Sequence, residues 1–266
     1  MSGEQDGRIG YDVDGAVATI TIDRPAARGA LTTSLKEQLL AAAERAAGDD
    51  AVRAVLLTGA GPAFCAGQDL REHADHLASG DPAPLATVDR HYNPLVRAIT
   101  SAPKPVVAAV PGTCAGAGLA LALACDLRLA AAGARFATAF TGIGLTTDSG
   151  LSWTLPRVAG RGLASRLLLL GEAFTAEQAL AWGVVDAVHP DDELAAAARA
   201  LVERLADGPT AAYAATKQAL LAGAEGGLDE ALALESRLQS GLGATGDHRG
   251  AVTAFLAKQR PVFRGR

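Results

Sequence analysis

Asp148 is the one acid in a 27-residue window, ARFATAFTGIGLTTDSGLSWTLPRVAG, that runs from residue 134 to 160. A lone carboxyl in apolar surroundings is expensive to ionise, so its pKa rises. A carboxyl that titrates nearer neutrality can take up a proton and return it, which is general acid/base chemistry. The same residue precedes Ser149 and a helical run to Val158, and an N-cap is its competing role. Two Gly-rich stretches offer a second kind of chemistry: GAGPAFCAG at 59–67 and GTCAGAG at 112–118. Each follows an apolar strand pattern and leads into a helix pattern. Such turns present unpaired backbone N–H groups, and glycine lets a ligand approach them closely. Two converging turns can form an oxyanion hole for charge that develops on a carbonyl oxygen. Neither stretch completes the dinucleotide fingerprint, and Walker A, G-x-S-x-G and H-E-x-x-H strings are absent.

The elements that must position these groups follow from periodicity. VATITI at 17–22 and VRAVLLT at 52–58 read as strands, as does PVVAAV at 105–110, and 126–130 continues the series. Residues 34–47 carry Leu35, Leu39, Leu40, Ala43 and Ala47 at helical spacing, with Thr32 and Thr33 as cap candidates. Residues 85–100 and 118–124 read as helices. This alternation implies parallel βαβ crossovers. Beyond Gly160 the pattern turns helical, near 176–182, 192–206, 211–224, 228–240 and 248–257, with one strand at 183–188. Asp191, Asp192 and Glu193 suit a helix N-terminus. A boundary falls at Gly208-Pro209, and 76–84 reads as a mobile surface loop.

Composition narrows the function classes. With 266 residues, 49% of them hydrophobic, the chain can bury a sizeable core without disulfides. A formal net charge of −5 points away from nucleic acid and anionic membranes. The N-terminus, MSGEQDGRIGYD, lacks an apolar segment and does not read as a signal peptide, and no apolar run is long enough to span a bilayer. A cytoplasmic protein is expected. Cys65, Cys114 and Cys125 read as reduced, buried thiols. His73 and His76 read as solvated surface groups without a metal-ligand set, whereas His91, next to Tyr92-Asn93-Pro94, could line a cleft.

The segment LLTGAGPAFCAGQDL at 56–70 resembles the first signature of the crotonase, or enoyl-CoA hydratase/isomerase, superfamily. Lys104-Pro105-Val106, Gly112, Gly116-Ala117-Gly118 and Cys125-Asp126 resemble its second. Gly144-Leu145, Asp148-Ser149-Gly150, Leu155-Pro156-Arg157 and Gly160 resemble its third. Trp182-Gly183-Val-Val-Asp186 and Ala254-Phe255-Leu256-Ala-Lys258 extend the likeness across the chain. The resemblance implies an α/β fold: a spiral of β-β-α units over residues 1–208, then a helical trimerisation region at 209–266. It implies an acyl-CoA thioester substrate, with coenzyme A entering only as part of that substrate, and no metal. The oxyanion donors would be the amides of Gln68 and Ala117, with Asp148 catalytic. Ala66, Asp69, Leu70, Asn93, Gly116, Phe140 and Leu145 would contact the acyl group. Arg28, Phe255 and Lys258 would contact coenzyme A, in a homotrimer or a dimer of trimers.

One departure is informative. Family hydratases place glutamates where this chain has Ala120 and Phe140, and hydration needs two positioned groups to deprotonate water and protonate carbon. An acid at position 148 is similar to dienoyl-CoA isomerases and to the ring-epoxide isomerases of phenylacetate degradation. The expectation is therefore an acyl-CoA isomerase that shifts a double bond or rearranges a ring epoxide with one Asp. The alternatives are an atypical hydratase, lyase or thioesterase of the same superfamily, and a non-catalytic acyl-CoA-binding paralogue.

Overall fold

The computed structural model describes residues 7–224 and 226–266; the first six residues of the expected non-leader N-terminus lie outside them. The chain runs β1 (Arg8–Asp14), β2 (Val17–Asp23), α1 (Thr33–Gly48), β3 (Ala54–Gly59), β4 (Ala63–Cys65) and α2 (Leu70–Ala78). A π-helical turn at Val88–Tyr92 leads into α3 (Asn93–Thr100). Then come β5 (Val106–Val110), β6 (Thr113–Ala115), α4 (Ala117–Ala124), β7 (Leu127–Ala131) and β8 (Arg135–Ala137). Helices α5 (Leu151–Ala159) and α6 (Arg161–Leu170) precede β9 (Phe174–Thr175), α7 (Ala176–Ala181), β10 (Ala187–His189) and α8 (Leu194–Ala206). The C-terminal region holds α9 (Thr210–Gly223), α10 (Leu228–Gly243) and α11 (Gly246–Leu256).

A repeat underlies this order. β3, β5 and β7 each enter one sheet, of order β1-β2-β3-β5-β7-β10, and the short strand after each, β4, β6 and β8, enters a second, of order β4-β6-β8-β9. Pairing is parallel from β2 to β10 and from β4 to β8, while β1 and β9 pair antiparallel. Successive units thus stack as turns of a spiral, which is the crotonase-like α/β fold. The large sheet is buried on both faces, as parallel sheets usually are. Val55, Leu57, Val106, Ala108 and Val110 face one core with α1, α3 and α4. Ala54, Leu56, Val107 and Ala109 face another, closed by Leu194, Ala198, Val202 and Ala206 of α8.

Local sequence explains most elements. The Thr32 side chain accepts from Leu35 N and starts α1, whose inner stripe is Leu35, Lys36, Leu39, Ala42, Ala43 and Ala46. Five readings need correction. The Gly-rich stretches hold strands β4 and β6, three residues each and too short to alternate visibly. β1 went unread because RIGYDVD is an edge strand with mostly solvated side chains. The late strand sits at Ala187–His189, since Gly183 turns at φ +74°. The helix expected over 85–100 is a π-helical turn joined to α3. The loop expected from residue 76 starts only after Ala78, because 76–78 finish α2.

The C-terminal helices differ from the rest. Neither α9 nor α10 buries a residue, and Leu220, Leu228, Phe255 and Leu256 are each at least 70% exposed. They are nevertheless fastened to the spiral. Arg53 donates to Gly208 O, Thr210 Oγ1 and Phe263 O, and Lys217 pairs with Asp126 at 2.7 Å. Among the described residues no helix is long and apolar enough to cross a membrane.

Candidate active site

The ends of two successive spiral units converge on a cavity of about 200 Å³. Ala66, Gly67 and Gln68 line it from the segment after β4, and Gly116 and Ala117 from the start of α4. The Gln68 segment is fixed by a parallel bridge to Leu31: Leu31 N donates to Gly67 O at 2.8 Å and Asp69 N to Leu31 O at 3.0 Å. Because residues 67 and 69 supply those bonds, the Gln68 N–H points to the opposite side of its strand. Ala117 opens α4, so its N–H has no acceptor within the helix. Gly116 precedes it at φ +55°, ψ −124°, a conformation that a side chain would strain. Gly118 permits the close approach: a Cβ there would lie 2.1 Å from Cys65 O. Two amides from adjacent strand ends therefore border one cavity.

Asp148 is the one carboxylate among the lining residues. Burial pushes its pKa up, opposed in part by the Ser149 hydroxyl, which donates to Asp148 Oδ1 at 2.7 Å. It does not cap α5. Gly150 holds that position, without a side-chain cap bond, and Ser149 takes a left-handed φ of +53° to turn the chain. Ala139, next to Phe140 on the facing wall, is also left-handed at φ +63°. Strained backbone on both sides of the cavity marks a geometry the surrounding structure enforces. Leu70, Leu85, Val88, Phe140, Ile143 and Leu145 complete an apolar wall that can accept an acyl chain.

Ala66, Gln68, Leu70, Gly116, Ala117, Phe140, Leu145 and Asp148, expected from the sequence, are thus brought together at this cavity. Two expected acyl contacts are not. The Asp69 carboxylate turns away to cap α2, accepting from Arg71 N and Glu72 N, and pairs with Arg24. Burial alone would raise its pKa, but the Arg24 and backbone hydrogen bonds outweigh that and lower it. Asn93 donates to Asp89 Oδ1 at 2.9 Å on the outer side of α3, and its neighbour Tyr92 lines the cavity instead. Arg28 lies exposed on the turn before Leu31, where its carbonyl accepts from Ala66 N. Phe255 lies in the last turn of α11 and Lys258 two residues beyond its end, both outside the cavity wall. Ala120 is buried inside α4 and does not line the cavity.

The sequence reading missed a polar layer behind the wall. Lys36 is fully buried, and its Nζ donates to Gln68 Oε1 at 3.0 Å and to Thr87 Oγ1 at 2.7 Å. The Tyr92 hydroxyl donates to the same Gln68 Oε1 at 2.9 Å. His91, a candidate to line a cleft, meets Thr87 Oγ1 through Nδ1 at 3.0 Å instead. The signal was present: residues 36, 39 and 43 share one stripe of α1, and a lysine there is a charge at a core position. His73, read as solvated, lines the cavity, and its buried Nδ1 has no protein partner among the described residues. His76 is exposed beside Asp81. All three cysteines are free and buried, with burial pushing Cys65 and Cys125 up to about 12.

Comparison with known proteins agrees with this geometry. The family profile described as enoyl-CoA hydratase/isomerase matches residues 12–266. A Rhodobacter capsulatus protein named a probable enoyl-CoA hydratase is 46% identical over 97% of this chain and 98% of its own length. The 1,2-epoxyphenylacetyl-CoA isomerase of Escherichia coli is 42% identical over 96% of this chain and 97% of its own. A solved enoyl-CoA hydratase of Bacillus anthracis, 30% identical, superposes with a TM-score of 0.90 over 97% of this chain and 99% of its own. The chain belongs to the enoyl-CoA hydratase/isomerase family, and the fold and the acyl-CoA hydratase/isomerase class of activity follow.

Proposed function

We propose that the protein is an acyl-CoA isomerase that moves a double bond, or rearranges a strained ring, next to the thioester. The observation that carries this reading is that Asp148 is the one carboxylate in a cavity bordered by two backbone amides. For a 3-enoyl-CoA the steps balance without a co-reactant. Asp148 removes a proton from C2, and the electron pair delocalises through the thioester and the C3–C4 double bond. The Gln68 and Ala117 amides take up the charge on the thioester oxygen. The protonated Asp148 returns the proton at C4, leaving the C2–C3 double bond. A raised pKa suits this exchange, because one group must serve as base and then as acid near neutrality.

A second reading, hydration, is favoured by one observation. His73 presents a buried Nδ1 at the cavity that has no partner among the described residues, a place to hold a water for attack on a 2-enoyl thioester. Against it stand the apolar Ala120 and Phe140 at the positions where the resemblance expects glutamates. The test is a paired assay. Incubation with 3-hexenoyl-CoA should raise conjugated-enoyl absorbance, and crotonyl-CoA should lose absorbance slowly or not at all. Fast crotonyl-CoA hydration without 3-enoyl conversion would replace the first reading by the second. Binding of both thioesters without conversion of either would point to a non-catalytic paralogue.

The exposed apolar residues of α9–α11 support assembly as a trimer or a dimer of trimers, in which Phe255 and Lys258 reach a neighbour's coenzyme A. Analytical ultracentrifugation at micromolar concentration tests this; a stable monomer would reject it.

A further inference from the structure

Lys36 is a buried charge for which the proposed reaction has so far given no use. Its ammonium is fully enclosed, and among the described residues no carboxylate lies within ion-pair distance. Isolated buried charges are costly, so an arrangement that keeps one has to hold it with well-placed acceptors. Here the acceptors are Gln68 Oε1 at 3.0 Å and Thr87 Oγ1 at 2.7 Å. Gln68 Oε1 also accepts from the Tyr92 hydroxyl at 2.9 Å, and Nζ lies 5.3 Å from the Tyr92 ring centroid. Gln68, Thr87 and Tyr92 all line the acyl cavity. The cation therefore sits one side chain behind the wall, attached to the residue whose backbone N–H faces the thioester oxygen.

Two physical consequences follow. First, a Gln side chain held by two donors cannot rotate freely, so the backbone of residue 68 is pinned by the Leu31 bridge on one side and by its own side chain on the other. Second, a positive charge in a dry interior stabilises negative charge on the enolate more than it stabilises the neutral thioester. We propose that Lys36 is a positioning residue of the oxyanion hole, clamping Gln68 through its side chain and setting a positive potential behind the thioester oxygen. This rests on the assignment of the Gln68 amide as an oxyanion donor.

Burial lowers the Lys36 pKa, while Glu72, Asp69 and Glu37 oppose that shift. The other groups that face it are the Tyr92 hydroxyl, which burial holds well above its usual value, and His91, which burial and the Lys36 charge hold down. Loss of the clamp's charge should thus be the first alkaline event in turnover, below the pH at which a solvated lysine titrates.

The test separates the clamp from the base. In the Asp148→Asn background, 2,4-hexadienoyl-CoA serves as a chromophore whose absorbance shifts to the red when its carbonyl is polarised. Adding Lys36→Met should remove most of that shift with thioester affinity within about threefold. In the Asp148 wild type, Lys36→Met should lower kcat by roughly 10- to 100-fold, the scale of a misplaced or weakened donor. Lys36→Arg, which stays charged, should keep part of the red shift and move the alkaline limb of kcat out of range. A folded Lys36→Met protein with an unchanged red shift would overturn the proposal. Should that variant fail to fold, Gln68→Leu decides: it leaves the backbone amide and cuts the link to Lys36, and an unchanged shift there overturns the clamp equally. Full 3-enoyl-CoA turnover by Asp148→Asn alone would instead reject Asp148 as the base of the proposed isomerase, while the red shift still reports on Lys36.

Discussion

Gly118→Ala tests whether the spacing between the two amides sets the rate. Gly118 follows Ala117, one proposed amide donor, and packs on Cys65, which lies three residues before Gln68, the other. A Cβ at position 118 would meet Cys65 O at 2.1 Å and Cys65 C at 2.8 Å. Ordinary contact begins at 3.4 Å, so the β4 end and the α4 start must separate by about 1.3 Å or tilt by an equivalent amount. The opposing atoms are backbone and cannot swing aside. Overpacking of this kind costs about 1–3 kcal/mol of stability. A displacement near 1 Å at a reacting centre costs on the order of 10²-fold in rate. The expected outcome is a folded protein with a lower Tm and a kcat for 3-enoyl-CoA reduced about 100-fold, while KM changes little because the acyl wall is untouched. The assay is initial-rate kinetics beside thermal denaturation of the same preparation. A folded variant with kcat within about threefold of wild type would refute the claim that this contact spaces the two donors.

Asp148→Asn should lose roughly 10²–10⁴ in kcat, the usual scale for a general base, with thioester binding retained in calorimetry. The same variant should be more stable than wild type at neutral pH. The Asp148 pKa is raised in the fold, so its contribution to stability is complete below the unfolded value and is lost as pH rises through the folded value. The Tm difference should therefore shrink toward zero on acidification, which denaturation scans across pH will show. The acid limb of kcat/KM should lie above the pKa of a solvated aspartate, in the direction of the Asp148 shift; a limb at the usual aspartate pKa would reject Asp148 as the base. Asp69→Ala should act on stability first, costing about 3 kcal/mol through the broken Arg24 pair and the lost α2 cap. Urea titration measures it.

Much of the fold was legible because the strands that build the large sheet are apolar on both faces. A run such as PVVAAV at 105–110 has few other readings once a Gly-rich turn follows it. The second sheet was illegible for the converse reason: three-residue strands show no period, and AFC and TCA look like pieces of the glycine loops around them. Asp148 stood out as a lone acid, and its competing role as a cap fell to the backbone, since Ser149 and Gly150 turn the chain before α5 begins. Asp69 and Asn93 were placed by resemblance alone, and nothing local says which way a side chain turns. His73 was misjudged by a habit of expectation, that a histidine on a polar segment faces water, and Lys36 went unread. The stripe of α1 marks Lys36 as a core position, but three-dimensional packing is needed to show that it lies beneath the cavity and that α2 turns His73 toward it.

The proposed oxyanion donors are main-chain atoms, and that has a consequence for how such a protein can change over time. An amide N–H is present whichever residue occupies position 68 or 117, so substitution can displace these donors but never delete them. The side chains at positions 140 and 148 line the same cavity, and each can be exchanged without dismantling the donor pair. The fold thus keeps a constant means of stabilising an enolate and leaves the fate of that enolate to a few replaceable residues. A lineage can pass from one reaction to another by point substitution while every intermediate still polarises a thioester. On the proposed reading the variable part of this chain is a single acid, and the constant part carries the rest.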